Sequence, residues 1–207
     1  MKRILEPELM EEDAQAKAYA EADFAAPHSA YIRLFLEKFP DRPGKGFALD
    51  FGCGAADVTL RFARACPGWV VHAVDGSVAM LKYARRCVAR SPRLKRRVRF
   101  IRGLLPGARI PWRRYDVILA TSFLHHLHDP QVLWQAVRRY AQPGTIVLVA
   151  DLRRPRSRAQ AQCLVEQYSG GEPEVLRRDF RNSLLAAFTP AEVRRQLREA
   201  GLAGLKV

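Results

Sequence analysis

Cysteine is scarce in this chain and unpaired by spacing. Four occur among 207 residues, Cys53, Cys66, Cys87 and Cys163. None forms a CxxC pair or a zinc-finger spacing, which excludes a disulfide scaffold and a zinc module and fits a reduced, cytoplasmic compartment. No apolar run approaches the roughly 18 residues a spanning helix needs, so no membrane partner is expected. The opening stretch MKRILEPELMEED turns acidic before any apolar segment forms, so no secretory leader is expected. Glycine and proline, 13 each, are too few and scattered for a fibrous or low-complexity chain. Acidic residues are missing from one whole region. Between Ser77 and Tyr115 there is no Asp or Glu, yet thirteen basic residues run from Lys82 to Arg114.

What is present is an ordinary globular composition, 48% hydrophobic and 27% charged, with a net charge of +14. A strong basic field suits nucleic acid, an anionic small molecule or nothing in particular. No aromatic residues interleave Arg85–Arg102 except Phe100, which sits on an apparent strand, so base stacking is not favoured. A chain of this length makes one domain with elaboration.

The pattern along the chain predicts α/β architecture. Residues 7–39 read as two helices, broken near Ala26-Pro27-His28. Short apolar runs at Phe47–Phe51, Trp69–Val74, Val98–Ile101, Tyr115–Thr121 and Thr145–Ala150 read as strands. Helical segments intervene at Asp57–Cys66, from the cap Ser77 to about Arg90, and at Pro130–Tyr140. Alternation of this kind means βαβ units and a doubly wound, mainly parallel, Rossmann-like sheet, with ligands at the carboxyl ends of its strands. Beyond strand five, helices are expected near Ser157–Tyr168 and Glu174–Ala187. Thr189-Pro190-Ala191-Glu192 is a capping box opening a last helix that Gly201 closes. Leu202–Val207 reads as the start of a sixth strand. The expected organisation is an N-terminal helical lid over 1–43 and a main domain over 44–207, with a helical insertion over 153–188.

Strand one runs into Asp50-Phe51-Gly52-Cys53-Gly54-Ala55-Ala56-Asp57. Gly52 and Gly54 let a ligand lie against the backbone, and the following helix start offers free N–H groups. Asp75, at the end of strand two, can accept both hydroxyls of a ribose. A dinucleotide fingerprint wants a third glycine where Asp57 stands. Acids at positions 50 and 57 repel a pyrophosphate and suit a cationic ligand. S-adenosylmethionine (SAM), with an ammonium and a sulfonium and no phosphate, fits better than NAD.

Ala48–Asp57, Val74–Leu81 and Tyr115–Pro130 together resemble the three main motifs of the class I SAM-dependent methyltransferases, small-molecule type. The resemblance covers about residues 44–151 in order and spacing. It implies that Gly52, Cys53, Gly54 and Asp57 form the cofactor loop, with the two glycines along the methionine part. It implies that Asp50 serves the ammonium and Asp75 the ribose, and that Gly76, Ser77 and Met80 surround the adenine. The family often has an acid after strand three. Here the segment is Arg102-Gly103-Leu104-Leu105, so Gly103 and Leu104 are the expected adenine contacts. Thr121-Ser122-Phe123-Leu124-His125-His126-Leu127-His128 resembles the fourth-strand motif, which implies Ser122 at the methionine part and His126 or Leu127 near the sulfonium. His126 and His125 are candidate catalytic residues, as wall or general base. Tyr19 joins them from the lid, where Phe24 and Tyr31 are further contacts. His125, His128 and Asp129 could share a metal, but no fourth ligand of known spacing is evident, so no metal is expected.

The expected function is methyl transfer from SAM to a small-molecule acceptor. Tyr168, Arg177, Phe180 and Asn182 are expected to line the acceptor pocket, and the acceptor would be anionic if Arg153, Arg154 and Arg177 face inward. The alternatives are an RNA methyltransferase using the arginine-rich 82–114 face, and a SAM-binding protein without transferase activity. A monomer or homodimer is expected. The class I sheet ordinarily ends in a strand six–strand seven hairpin. About twenty residues of it have no counterpart here, so an open or partner-covered sheet edge is expected.

Overall fold

The computed structural model describes residues 1–207 throughout. Two helices come first, α1 (Asp13–Glu21) and α2 (Ala25–Lys38). The break between them falls at residues 22–24, not at Pro27, which sits in the first turn of α2. A missing N–H costs nothing there, because first-turn donors have no partner within the helix. The Asp23 carboxylate accepts the Ala25 N–H at 2.9 Å and supports that start.

Strands and helices then alternate: β1 (Lys45–Phe51), α3 (Asp57–Ala65), β2 (Gly68–Asp75), α4 (Val78–Ala89), the single turn α5 (Pro92–Lys95), β3 (Val98–Arg102), β4 (Tyr115–Thr121), α6 (Gln131–Tyr140) and β5 (Ala141–Ala150). The five strands are all parallel, in the order β3-β2-β1-β4-β5. β5 begins earlier than its apolar run suggests. Ala141 pairs with Tyr115, and the register then shifts before Ile146 pairs with Val117. Pro143 and Gly144 are accommodated in that irregularity, Gly144 at φ +85°.

Each face of the sheet is sealed by its own core. On one, Phe35 of α2, Phe62 of α3 and Val88 of α4 pack on Ala48, Val71 and Val117, with Trp69 buried among them. On the other, Leu133, Trp134 and Val137 of α6 pack on Leu49, Ile118 and Ala120. Strands buried on both faces need near-continuous apolar residues, which is why these segments read clearly in the sequence.

Helices α7 (Arg158–Ser169), α8 (Glu174–Ala186) and α9 (Pro190–Glu199) follow. Thr189 and Glu192 close the capping box of α9 from both sides. Leu202–Val207 does not form the expected sixth strand. Gly201 turns at φ +69°, the Leu202 N–H returns to the Leu197 carbonyl at 2.7 Å, and the Leu205 N–H to Leu202 at 3.0 Å. With those donors used in local turns, Leu202 and Leu205 pack on the second core instead of extending the sheet. β5 is therefore an outer strand.

Candidate active site

β1 is the centre of the strand order, flanked by β2 and β4. Chain leaving β1 and β4 departs toward different neighbours, and this switch point opens a crevice at the carboxyl ends of the strands. A cavity of about 290 Å³ lies there, of the size a small ligand needs. Its lining includes Gly52, Cys53, Gly54, Asp57, Asp75, Gly76, Ser77, Met80, Gly103, Leu104 and Ser122, all expected at the cofactor from the sequence.

The β1 turn is held in a shape that few residues tolerate. Gly52, Gly54 and Ala56 lie at φ +68°, +51° and +70°. A Cβ on Gly52 would fall 2.1 Å from the Phe123 ring. The Gly52 and Cys53 N–H groups both donate to the Val74 carbonyl, at 2.8 and 3.1 Å, which ties the turn to the end of β2. Asp75 completes the tie: its carboxylate accepts the Gly54 N–H and the Ser77 N–H, each at 2.8 Å. Burial raises the Asp75 pKa, and these backbone donors oppose the rise. The Ser77 hydroxyl caps α4 by accepting the Met80 N–H at 3.1 Å.

Asp50 stands behind this turn, not in the cavity lining. It is 1% exposed, accepts the Thr59 hydroxyl at 2.5 Å through one oxygen, and leaves the other, Oδ1, without a partner. Burial pushes its pKa up to about 7, with the Asp75 charge adding to the rise. Asp57 is not a free negative charge either. His28 Nδ1 lies 2.7 Å from it and Arg61 donates to it at 2.8 Å, and these partners overcome burial to hold it ionised. The negative field read from the sequence is thus partly neutralised at position 57 and partly protonated at position 50.

The opposite rim follows β4. Ser122 is strained at φ +48°, with its hydroxyl 3.4 Å from the Tyr31 hydroxyl. A 3₁₀ turn spans Leu124–His126. Of the three candidate catalytic residues, His126 and Tyr19 line the cavity and His125 does not. His125 is 3% exposed and bonds Asp151 at the end of β5 through Nδ1, while its backbone N–H donates to the same carboxylate at 3.1 Å. Burial opposes its charged form, but Asp151 and Glu6 outweigh burial and raise its pKa. His126 is pushed the other way, down to about 3, by burial and then by the His125 charge.

A strap of residues 1–12 crosses this rim, a feature the sequence did not announce. The Arg3 guanidinium donates to the carbonyls of Ala186, His125 and Leu127 at 2.6, 2.8 and 2.9 Å. It also lies 3.9 Å over the Phe188 ring. Glu8 accepts the His128 N–H at 2.8 Å, and the Met10 carbonyl accepts the Ser77 hydroxyl at 2.5 Å. Leu9 and Met10 line the cavity. Glu6 reaches under the strap to His125 and His126, and burial raises its pKa to about 7. Only the short acidic run at positions 6, 8, 11 and 12 hinted at this role.

The expected acceptor-lining residues of the insertion are elsewhere. Tyr168, Arg177, Phe180 and Asn182 do not line this cavity, and Tyr168 is 67% exposed. Arg154 is buried in an ion pair with Glu192 at 2.6 Å, and Arg153 faces a second groove along β5. α7 packs on α8, and α8 packs also on α1 and on the Leu124–His126 turn.

A parallel sheet in this order, with a glycine turn after β1 and an acid ending β2, is the Rossmann-like architecture of the class I methyltransferase fold. Residues 49–147 match a family described as "Methyltransferase domain". The chain is 30% identical over 125 residues to the mitochondrial ubiquinone biosynthesis O-methyltransferase of Schizosaccharomyces pombe, covering 58% of this chain and 44% of that protein. It is also 30% identical over 125 residues to a malonyl-(acyl-carrier protein) O-methyltransferase of Halalkalibacterium halodurans, covering 56% and 43%. The chain thus spans less than half the length of these curated relatives. Among solved structures, the plantazolicin methyltransferase BpumL with a desmethyl analogue and S-adenosylhomocysteine (SAH) superposes with a TM-score of 0.67 at 17% identity, over 90% of this chain and 67% of that one. A SAM-dependent methyltransferase from Aquifex aeolicus gives 0.65 at 19% identity, over 93% and 89%. The likeness to a methyltransferase domain is therefore carried by residues 49–147, and the likeness in fold to solved SAM-dependent methyltransferases by nearly the whole chain. The residues present fit SAM: Gly52 packs against the Phe123 ring with no room for a Cβ, which keeps the turn low beside the cavity, and Asp75 ends β2 on the cavity lining.

Proposed function

We propose that the protein transfers a methyl group from SAM to the oxygen of a small-molecule acceptor. The observation that carries this reading is the cavity at the switch point, bounded by the Gly52–Asp57 turn, Asp75 and His126. The two curated relatives named above are O-methyltransferases, which supports oxygen as the acceptor atom. When bound, SAM supplies a methyl group already activated on a sulfonium. The chain's own work is then to position the acceptor in line and to exclude water. Asp75 holds the ribose. Gly76, Ser77, Met80 and Leu104 enclose the adenine. Gly52, Gly54 and Ser122 border the methionine part, and Asp50 acts on the ammonium through the turn. His126, which burial holds toward its neutral form, forms the wall beside the reacting centre. Residues 1–43, with Tyr19 facing the cavity, act as the lid of the domain formed by 44–207.

Titration with SAM and SAH, followed by an acceptor screen for released SAH, tests this. Asp75→Ala should weaken SAM binding by about 1.5–3 kcal/mol, the scale of hydrogen bonds to a charged group. Unchanged affinity would remove the ribose assignment, and binding of NAD or ATP in place of SAM would remove the function.

A second reading keeps SAM and changes the acceptor to RNA. It rests on the exposed Arg85, Arg86, Arg93, Arg96, Arg99 and Arg102 around β3. One member of that run is already used in the fold: Arg97 donates to the carbonyls of Ala63, Cys66 and Trp69. Steeply salt-dependent tRNA binding would favour this reading, and no binding at low salt would end it.

A further inference from the structure

Three side chains meet beneath the strap in an arrangement that hydrogen bonding does not satisfy. Glu6 Oε1 lies 3.5 Å from His125 Nε2 and 3.3 Å from His126 Nδ1. All three atoms fall within 4.8 Å of one another. Glu6 Oε1 and His126 Nδ1 are both fully buried and without a hydrogen-bond partner. The three side chains are 8%, 3% and 16% exposed, so water does not compensate.

The tautomer of His125 sharpens the conflict. Its Nδ1 faces Asp151, whose carboxylate can only accept, so Nδ1 carries a proton and Nε2, turned toward Glu6, is the atom that takes up either a second proton or a cation. Unpaired acceptors that converge in a dry space repel unless a cation sits between them. One proton can bridge one of these pairs and leaves the third atom orphaned.

We infer that Glu6, His125 and His126 form a binding site for a single divalent transition-metal ion, zinc by its donor set, that fastens the N-terminal strap to the rim of the cavity. Two imidazole nitrogens and one carboxylate oxygen are a known three-ligand zinc set. Ligands about 2.0–2.1 Å from a tetrahedral zinc stand about 3.3 Å apart, the spacing already present on two edges of this triangle. Asp151 on the far nitrogen of His125 is the outer carboxylate that orients a metal-binding histidine, and the Ser183 hydroxyl, 3.3 Å from Glu6 Oε2, orients the carboxylate in the same way. The neighbouring His128 is not a ligand. Its ring is engaged by the Glu6 carbonyl at 2.8 Å. The inference shares His126 with the methyl-transfer reading, but zinc binding is measured without SAM or acceptor, so either reading can fail without the other.

The test uses the full chain, freed of metal by a chelator, and zinc alone. Competition against a chromophoric chelator should show one zinc per chain, and X-ray absorption should report two imidazoles and no sulfur around it. Hydrogen exchange at Ile4, whose N–H donates to Leu185 at 3.1 Å, should slow when zinc is added. Glu6→Gln should lower zinc affinity at least about hundredfold and Asp151→Asn about tenfold, while His128→Ala keeps full stoichiometry. Retained SAH binding and circular dichroism certify the fold of each variant. Zinc held by cysteine sulfur, less than a stoichiometric amount bound by the wild type, or full affinity in Glu6→Gln would each overturn the proposal.

Discussion

The two rims of the cavity are built in opposite ways. The β1–β2 rim is made by one short stretch of chain and one acid twenty-one residues on, locked by backbone hydrogen bonds from Gly52, Cys53 and Gly54. The β4 rim is assembled from four distant pieces: the strap, the Leu124–His126 turn, Asp151 and Ala186 at the end of α8. A local rim is rigid because its shape is set by φ angles. An assembled rim depends on side chains whose partners must arrive from elsewhere, and segments of that kind open most readily.

The largest expected effect tests the rigid rim. Gly52→Ala combines a left-handed φ with a Cβ placed against Phe123, so strain and overpacking together should cost about 2–6 kcal/mol. SAM binding should be lost in calorimetry and the melting temperature should fall. Near-native binding would show that this turn is softer than its backbone suggests.

The assembled rim should yield differently. Arg3→Ala removes three hydrogen bonds and a cation–aromatic contact and should lower stability by about 1.5–3 kcal/mol in chemical denaturation. The variant should keep the Gly52 turn and bind SAM, with faster exchange in the strap. Equal loss of protection in β1 would erase the distinction between the rims.

A smaller effect joins them. Asp50 has its pKa raised to about 7 by burial, so its neutral form favours the folded state. Wild type should therefore lose stability relative to Asp50→Asn as pH rises from the usual carboxylate range through 7. A cationic ligand near the turn prefers the ionised form, so SAM affinity should rise by up to about tenfold per pH unit below 7. A flat profile in both measurements would separate Asp50 from the ligand.

The rims also explain what could be read in advance. β1, β2 and β4 were legible because burial on both faces demands unbroken apolar runs, and the turn because positive φ demands glycine. Ala56 and Ser122 take the same conformation without glycine, and nothing in the sequence marked them. Charge was legible only as composition. That Asp57 is matched by His28 and Arg61, and that Asp50 is buried away from the crevice, depends on α2 and α3 packing together. Glu6 was invisible as a partner of His125 because the two are joined only by the path of the strap. The insertion was found from its length, but its facing was not, since α8 could have presented either side. The sixth strand failed because a strand needs free donors of its own, and those of Leu202 and Leu205 are used in local turns.

β5 leaves one side of its ladder open beside a groove lined by Ile146, Leu148 and Leu205. An open ladder is a template for another molecule's strand, and what resists it here is a net charge of +14 on every copy. That repulsion reaches only about 8–10 Å at 0.1–0.15 M salt and about 3 Å at 1 M. The protein should therefore stay dispersed in dilute buffer and clump as ionic strength rises, a solubility trend opposite to that of a chain protected by its own covered edges.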